Sequence, residues 1–112
     1  GKIDAMVTVT DNVVVNAMTV ISDAIIKENS PSIAYDEGSV VNGALMSEGV
    51  NYRQLGNQAG AMAAEILKNG KSAKDIPYEK AEDLKVLVNT KTAETLGVDL
   101  NQDLLKNAEK ID

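Results

Sequence analysis

Apolar residues follow two patterns along this chain: short continuous runs, and longer stretches in which they recur every three or four positions. Runs bounded by polar residues are typical of strands buried on both faces, and the wider spacing is typical of helices with one apolar face. The runs predict strands at 3–9, 32–35, 45–47 and 84–88. The spaced stretches predict helices at about 12–28 and 52–68, a short helical segment after residue 39, and two short helices at 91–96 and 101–110.

The stretch 52–68 gives the clearest helical pattern. Its apolar stripe includes Leu55, Met62 and Ile66, and the pair Asn69-Gly70 supplies a C-terminal stop. Gly56 and Gly60 lie four residues apart and leave one side of the helix nearly smooth. A smooth side lets a helix approach a sheet or another helix closely.

Strands alternate with helices along the chain. This order is typical of an α/β fold, and it predicts a Rossmann-like, mostly parallel sheet with helices on both faces. In open sheets of this kind, ligands bind beyond the carboxyl ends of the strands.

Two polar clusters follow predicted strands and therefore fall at that edge: Thr10-Asp11-Asn12 and Asp36-Glu37. Each has a purely structural interpretation. Asp11 in that position can cap the helix that follows, and acids in a first helical turn favour the helix dipole without any ligand. A carboxylate has two oxygens, so Asp11 can also cap the helix and hold a donor on a polar ligand.

Composition narrows the function. The chain has 112 residues, room for one domain, and contains neither His nor Cys, which removes the commonest general base, metal ligand and nucleophile pairs. No glycine-rich phosphate loop or oxygen-ligand spacing for a metal is present, so we predict no catalytic residue, no metal and no cofactor. The net charge of −6 argues against nucleic acid.

Several short motifs, taken in order, resemble one family. They are Asp4-Ala5-Met6-Val7-Thr8-Val9-Thr10-Asp11-Asn12, Asn42-Gly43-Ala44, Gly49-Val50-Asn51-Tyr52 with Leu55-Gly56, Ile76-Pro77, Leu87-Val88-Asn89, and Thr92-Ala93 with Leu96-Gly97-Val98. Together they resemble the substrate-binding proteins of ABC transporters associated with aromatic amino acids. The resemblance spans essentially the whole chain.

The resemblance implies a type I periplasmic binding protein, in which two α/β lobes joined by three crossing strands trap a solute between them. Residues 1–83 then correspond to the later part of the second lobe, and 84–112 to the final crossover strand and C-terminal helices. The first lobe, the signal segment and any lipid anchor are missing, so the chain is expected to be a fragment. Its exposed sheet edges would favour self-association.

The resemblance also implies a non-enzymatic, extracytoplasmic protein with two partners, a small polar solute and a membrane permease. An amino-acid ligand would need a carboxylate for its ammonium group. The expected ligand-binding residues are Thr10, Asp11, Asn12, Tyr35, Asp36 and Glu37, with Tyr35 as the aromatic side chain of the cleft. Two alternatives stay open: the effector lobe of a transcription regulator, which shares this fold, and a small stand-alone α/β enzyme or phosphate-binding domain.

Overall fold

A computed structural model describes residues 3–112, and this part of the chain contains a five-stranded sheet with helices. The strands are β1 (Met6–Val7), β2 (Ser32–Ala34), β3 (Met46–Val50), β4 (Leu84–Asn89) and β5 (Glu109–Ile111). The helices are α1 (Asn12–Lys27), α2 (Glu37–Val41), α3 (Tyr52–Leu67) and α4 (Thr90–Leu96), with a 3-10 turn at Ala73–Asp75.

The strands lie in the order β1-β2-β3-β4-β5, and three of the neighbouring pairs fix most of the directions. β1 runs parallel to β2, β2 parallel to β3, and β4 parallel to β5. The Asn89 N–H donates to the Leu45 carbonyl at 2.9 Å, so the end of β4 lies beside the start of β3. β4 and β5 therefore run opposite to the first three strands. The predicted α/β class with a mostly parallel sheet is confirmed.

Polar residues at or after the ends of strands cap the helices that follow. Asp11 caps α1, Asp36 caps α2 and Asn89 caps α4, each accepting hydrogen bonds from backbone N–H groups of the first turn. A side-chain oxygen satisfies donors that a helix leaves unpaired at its start. The predicted helices at 12–28, 52–68 and 91–96 are confirmed to within a residue at either end.

The prediction for 3–9 was wrong in extent and in burial. The strand comprises Met6–Val7, and the side chains of Val7 and Val9 are 59% and 64% exposed. β1 is the outermost strand of the sheet, where one neighbour is missing and packing is one-sided. An apolar run alone does not reveal that position.

The predicted helix at 101–110 was also wrong. Residues 99–108 form turns, in which Asp99 accepts from the Asn101 N–H, and the chain then enters β5. Leu105 and Ala108, which looked like a helical face, are buried in the core beside Val88. Pairing with β4 takes up the end of this stretch from Glu109 onward, and turn hydrogen bonds such as that from the Leu105 N–H to the Gln102 carbonyl serve the residues before it.

The chain forms two compact units, Gly1–Gly49 with Lys85–Asp112, and Val50–Leu84. The first holds two buried apolar clusters built from small and aliphatic side chains: Leu45, Met46, Val88, Ala93, Leu105 and Ala108, and Met18, Ala34 and Ala44. The predicted division at residue 83 stays a prediction.

In the second unit, none of the residues of α3 is buried. The side-chain amide of Gln58 donates to the Glu79 carboxylate and to the Lys80 carbonyl, both at 2.8 Å. Lys71 forms an ion pair with Glu65 at 2.5 Å. Polar contacts thus fasten the connector after α3 to that helix.

Gly49 occupies a position where a side chain cannot fit. A Cβ atom there would lie 2.3 Å from the Tyr35 carbonyl oxygen, which is backbone and cannot swing away. We expect Gly49→Ala to lower the free energy of unfolding by about 1–3 kcal/mol or more, because β2 and β3 must separate to accept the methyl group. Urea denaturation measures this.

Gly56→Ala is the matched control. Nothing lies within 4 Å of a Cβ at Gly56, which sits inside α3. Alanine there should raise the free energy of unfolding by about 0.5–1 kcal/mol, since glycine weakens a helix interior. Equal effects of the two substitutions would show that contact with Tyr35 is unimportant.

Candidate functional site

The predicted binding residues follow the carboxyl ends of neighbouring parallel strands. Thr10, Asp11 and Asn12 come after β1, while Tyr35, Asp36 and Glu37 come after β2. Because β4 and β5 run the other way, their first residues meet the same edge. We call this edge, with the six residues named here and Lys85 and Glu109, the binding edge.

One carboxylate oxygen of Asp11 caps α1, and the other is left without a partner in that cap. Its Oδ1 accepts from the N–H groups of Val13 at 2.8 Å and Val14 at 3.2 Å. Both bonds end on the same oxygen, which leaves Oδ2 able to accept from a ligand. Asp11 is exposed, as are Thr10 and Asn12 beside it. The structural and the ligand-binding interpretations are therefore compatible here.

Asp36 uses both oxygens locally. Oδ1 accepts from the Ser39 N–H and Oδ2 from the Ser39 hydroxyl, each at 2.8 Å. Ser39 is fully buried, so this pair anchors the first turn of α2. The arrangement is mainly that of a helix cap.

Glu37 forms an ion pair with Lys85, a residue that the sequence did not single out. Lys85 Nζ lies 3.6 Å from Glu37 Oε2 and 3.0 Å from Glu109 Oε2. The Lys85 side chain is 29% exposed, whereas both glutamates are about 60% exposed. One signal was present: Lys85 is the charged residue inside the apolar run 84–88.

Tyr35 places an aromatic ring at the same edge, with the residue 51% exposed. Its carbonyl lies against Gly49, which fixes the backbone at the end of β2 beside β3. The role of Gly49 was also missed, because a close approach between strands leaves no trace in spacing. An exposed ring on a fixed backbone can pack against an apolar part of a ligand.

A separate cavity of about 470 Å³ lies away from the predicted residues, with Ser22, Asn42 and Thr92 among its lining. Ser22 is buried and its hydroxyl has no hydrogen-bond partner among the described residues. The cavity is next to the amino end of β3, since the Thr92 hydroxyl donates to the Gly43 carbonyl at 3.0 Å. It brings together none of the six predicted residues.

Residues 3–112 contain no group of three His, Cys, Asp or Glu side chains placed to hold a metal ion. None of the helices described there is long and apolar enough to cross a membrane.

The whole chain, residues 1–112, matches the family described as ABC transporter substrate binding protein. The chain belongs to this family. A tyrosine-binding protein of Clostridioides difficile is 38% identical over 107 residues, which cover 95% of this chain and 31% of that protein. The chain therefore spans about a third of the length of the family relatives it matches.

Two solved structures are similar to this chain. A substrate binding protein with adhesive properties from Clostridium difficile, in its ligand-free, open form, is 35% identical with a TM-score of 0.87, covering 100% of this chain and 37% of that one. An ABC domain from Streptococcus pneumonia in complex with L-Trp has a TM-score of 0.76 at 24% identity, covering 99% and 37%. At that identity the likeness shows the fold.

The contacts of Lys85 predict a pH dependence. The hydrogen bond to Glu109 raises the pKa of Lys85 above 10.5, partial burial opposes this, and the charges of Glu37 and Glu109 add to the rise. When folding raises the pKa of a lysine, that lysine stabilises the folded protein at pH values below its unfolded pKa. This stabilisation is lost as the pH rises through the folded pKa. The free energy of unfolding of wild type should exceed that of Lys85→Met by up to about 1 kcal/mol, because the ion pair is partly exposed. This difference should shrink above pH 10.5.

Urea denaturation of both proteins at pH 8 and at several values above 10.5 checks this expectation. Comparing the two proteins at each pH cancels the titration of the other lysines and tyrosines. A stability difference that stays constant across this range would contradict the assigned ion pair.

Proposed function

We propose that this chain is the ligand-contacting part of a solute-binding protein for an amino acid, most suitably one with an aromatic side chain. The family relative named as tyrosine-binding supports the ligand class, at 38% identity. Membership in the family supports the general role. The observation that carries the proposal is the exposed Asp11 carboxylate, with one oxygen uncommitted at the binding edge.

The three acids at the ends of β1 and β2 are unequal candidates for a ligand ammonium. Asp36 gives each oxygen to Ser39, and Glu37 pairs with Lys85. Asp11 is the member of this group with an oxygen to offer. We therefore assign the ammonium to Asp11, and give Asp36 and Glu37 supporting positions around it.

The other contacts follow from the chemistry of an amino acid. Thr10 and Asn12 flank Asp11 and can donate hydrogen bonds to the ligand. The Tyr35 ring can pack on an aromatic side chain, since such pairs favour offset or edge-to-face contact. The ligand carboxylate would be held by hydroxyl and backbone N–H groups of a second lobe, outside these 112 residues.

In this proposal the complete protein is extracytoplasmic and delivers its solute to the permease of an ABC importer. Closure of two lobes about a hinge would exclude water from the ligand. The family match favours this role over the effector lobe of a transcription regulator, which has the same fold.

Asp11→Asn in the complete protein tests the ammonium assignment. Removing the charged partner of an enclosed ligand charge costs about 2–5 kcal/mol, so affinity for the amino acid should fall about tenfold or more. Asparagine caps a helix about as well as aspartate, so the melting temperature of the ligand-free protein should barely change. Isothermal titration calorimetry with tyrosine and tryptophan, together with thermal unfolding, gives both quantities.

Asp36→Asn is the matched control, because it makes the same chemical change at the neighbouring cap. It removes the acceptor for the buried Ser39 hydroxyl, so we expect a loss of stability of about 1 kcal/mol, with affinity falling much less than in Asp11→Asn. If Asp11→Asn changes only the melting temperature, Asp11 is a structural residue. Failure of the wild-type protein to bind any amino acid would overturn the proposed function.

The 112-residue chain by itself should bind these amino acids more weakly than about 1 mM, because a single binding edge leaves the ligand in water. It should also self-associate, since β1 is an outer strand with Val7 and Val9 exposed. Calorimetry and light scattering at increasing concentration measure the two effects. Micromolar binding by this chain alone would mean that a second lobe is not needed.

A further inference from the structure

Lys85 lies where the chain returns to the sheet and connects three separate elements. It is the second residue of β4, and its ammonium contacts Glu37 of α2 and Glu109, the first residue of β5. Those three residues are far apart in sequence and meet because β4 and β5 begin where β2 ends. The contact therefore depends on the order and direction of the strands in the sheet.

The binding edge is rich in acids. Asp11, Asp36, Glu37 and Glu109 contribute four carboxylates, and Lys85 is the cation in contact with two of them. The donors on Asp36 are the neutral groups of Ser39, and those on Asp11 are backbone N–H groups, so neither acid is neutralised. Without Lys85, this edge would present four uncompensated negative charges.

Such an edge would suit a cation but not an amino acid, which carries a carboxylate beside its ammonium. A like charge facing the ligand carboxylate weakens binding, and specificity often depends on a repulsive contact being avoided. The single positive charge of Lys85 offsets one of these four negative charges, and its contacts engage the carboxylates of both Glu37 and Glu109. Asp11 is then the charged acceptor left for the ligand.

We infer that Lys85 is a specificity-determining positioning residue: it sets the charge of the binding edge so that zwitterionic amino acids are preferred over monocationic amines. This inference rests on the proposed function for its ligand. It acts through Glu37 and Glu109 and requires no contact between Lys85 and the solute.

The first test compares L-tyrosine with L-tyrosine amide, a monocation at a pH below the pKa of its amine. In the complete protein at low ionic strength, we expect Lys85→Met to shift the ratio of the two affinities at least fivefold toward the amide. The shift should shrink at high salt because mobile ions screen exposed charges. Lys85→Arg, which retains the charge, should preserve the wild-type ratio.

Lys110→Met is the control for net charge, because Lys110 is an exposed lysine of the neighbouring strand β5. It should leave the ratio nearly unchanged. A second control, Lys85→Met with Glu37→Gln, removes one positive and one negative charge from the edge. If Lys85 acts through charge, this double variant recovers most of the wild-type ratio; if the ratio is not recovered, the inference is wrong.

A purely structural role predicts a different result. Lys85→Met would then lower the melting temperature and weaken both ligands equally, with the ratio unchanged. That outcome would overturn the inference while leaving the proposed function intact.

A second readout needs no ligand. These 112 residues contain no cysteine, so Tyr35→Cys introduces a thiol at the binding edge, with any cysteine elsewhere in the protein replaced by serine. The relative rates of its reaction with cationic and anionic methanethiosulfonate reagents report the local potential. We expect Lys85→Met to raise the cation-to-anion ratio at least threefold and Lys110→Met to change it much less.

The two readouts separate the possible failures. Absence of amino-acid binding by the wild-type protein refutes the proposed function, while the thiol rates still decide whether Lys85 controls the charge of this edge. Thiol rates that respond equally to the Lys85 and Lys110 substitutions would refute the inference about Lys85, whatever the protein binds.

Discussion

The fold depends on the way in which Asn89 closes the sheet. Its backbone N–H donates to Leu45, its side-chain amide donates to the Val40 carbonyl at 2.9 Å, and its side-chain oxygen caps α4 through the Thr92 N–H. Asn89 is buried, so each of these polar groups must be paired. The result joins β4 to β3 although residues 51–83 separate them in the chain. Without that closure, Lys85 and Glu109 would not reach the binding edge.

The acids at the binding edge differ in their partners, and the closure at Asn89 supplies one of these, Lys85. Residues of like charge follow β1 and β2, and spacing alone treats them as equivalent. Ser39 donates hydrogen bonds to the carboxylate of Asp36, and Lys85 forms an ion pair with Glu37. The helix cap at Asp11 uses a single oxygen. These partners, more than the acids themselves, determine which carboxylate oxygen remains able to accept a further hydrogen bond.

Sequence reasoning succeeded where a local signal decides the structure. The polar cluster at Asp11 and the stop at Asn69-Gly70 placed α1 and α3 within a residue of their observed ends. It failed where tertiary position decides. The run at 3–9 reads as a buried strand but lies at an outer position, and 101–110 carries a helical spacing that pairing with β4 overrides.

Prediction of the candidate site also succeeded where a local signal was present and failed where contacts in space decide. The six predicted residues do follow the carboxyl ends of adjacent strands, which the alternation of elements was sufficient to indicate. Lys85 and Gly49 were missed because their importance comes from neighbours in space. A lone lysine in an apolar run and a glycine after a strand have many ordinary explanations, and the contacts with Glu37 and Tyr35 select among them.

The opposite directions of the strands give the sheet two edges of different character. Asn89, Thr92 and Gly43 fasten one edge through buried hydrogen bonds, while the other presents exposed side chains such as Asp11 and Tyr35. Under the proposed function, substitutions of exposed side chains such as Asp11 and Tyr35 would alter recognition with little penalty to folding. Relatives from 24% to 35% identical retain this architecture, with TM-scores of 0.76 to 0.87. A scaffold divided in this way can acquire new solutes during evolution without first having to be restabilised.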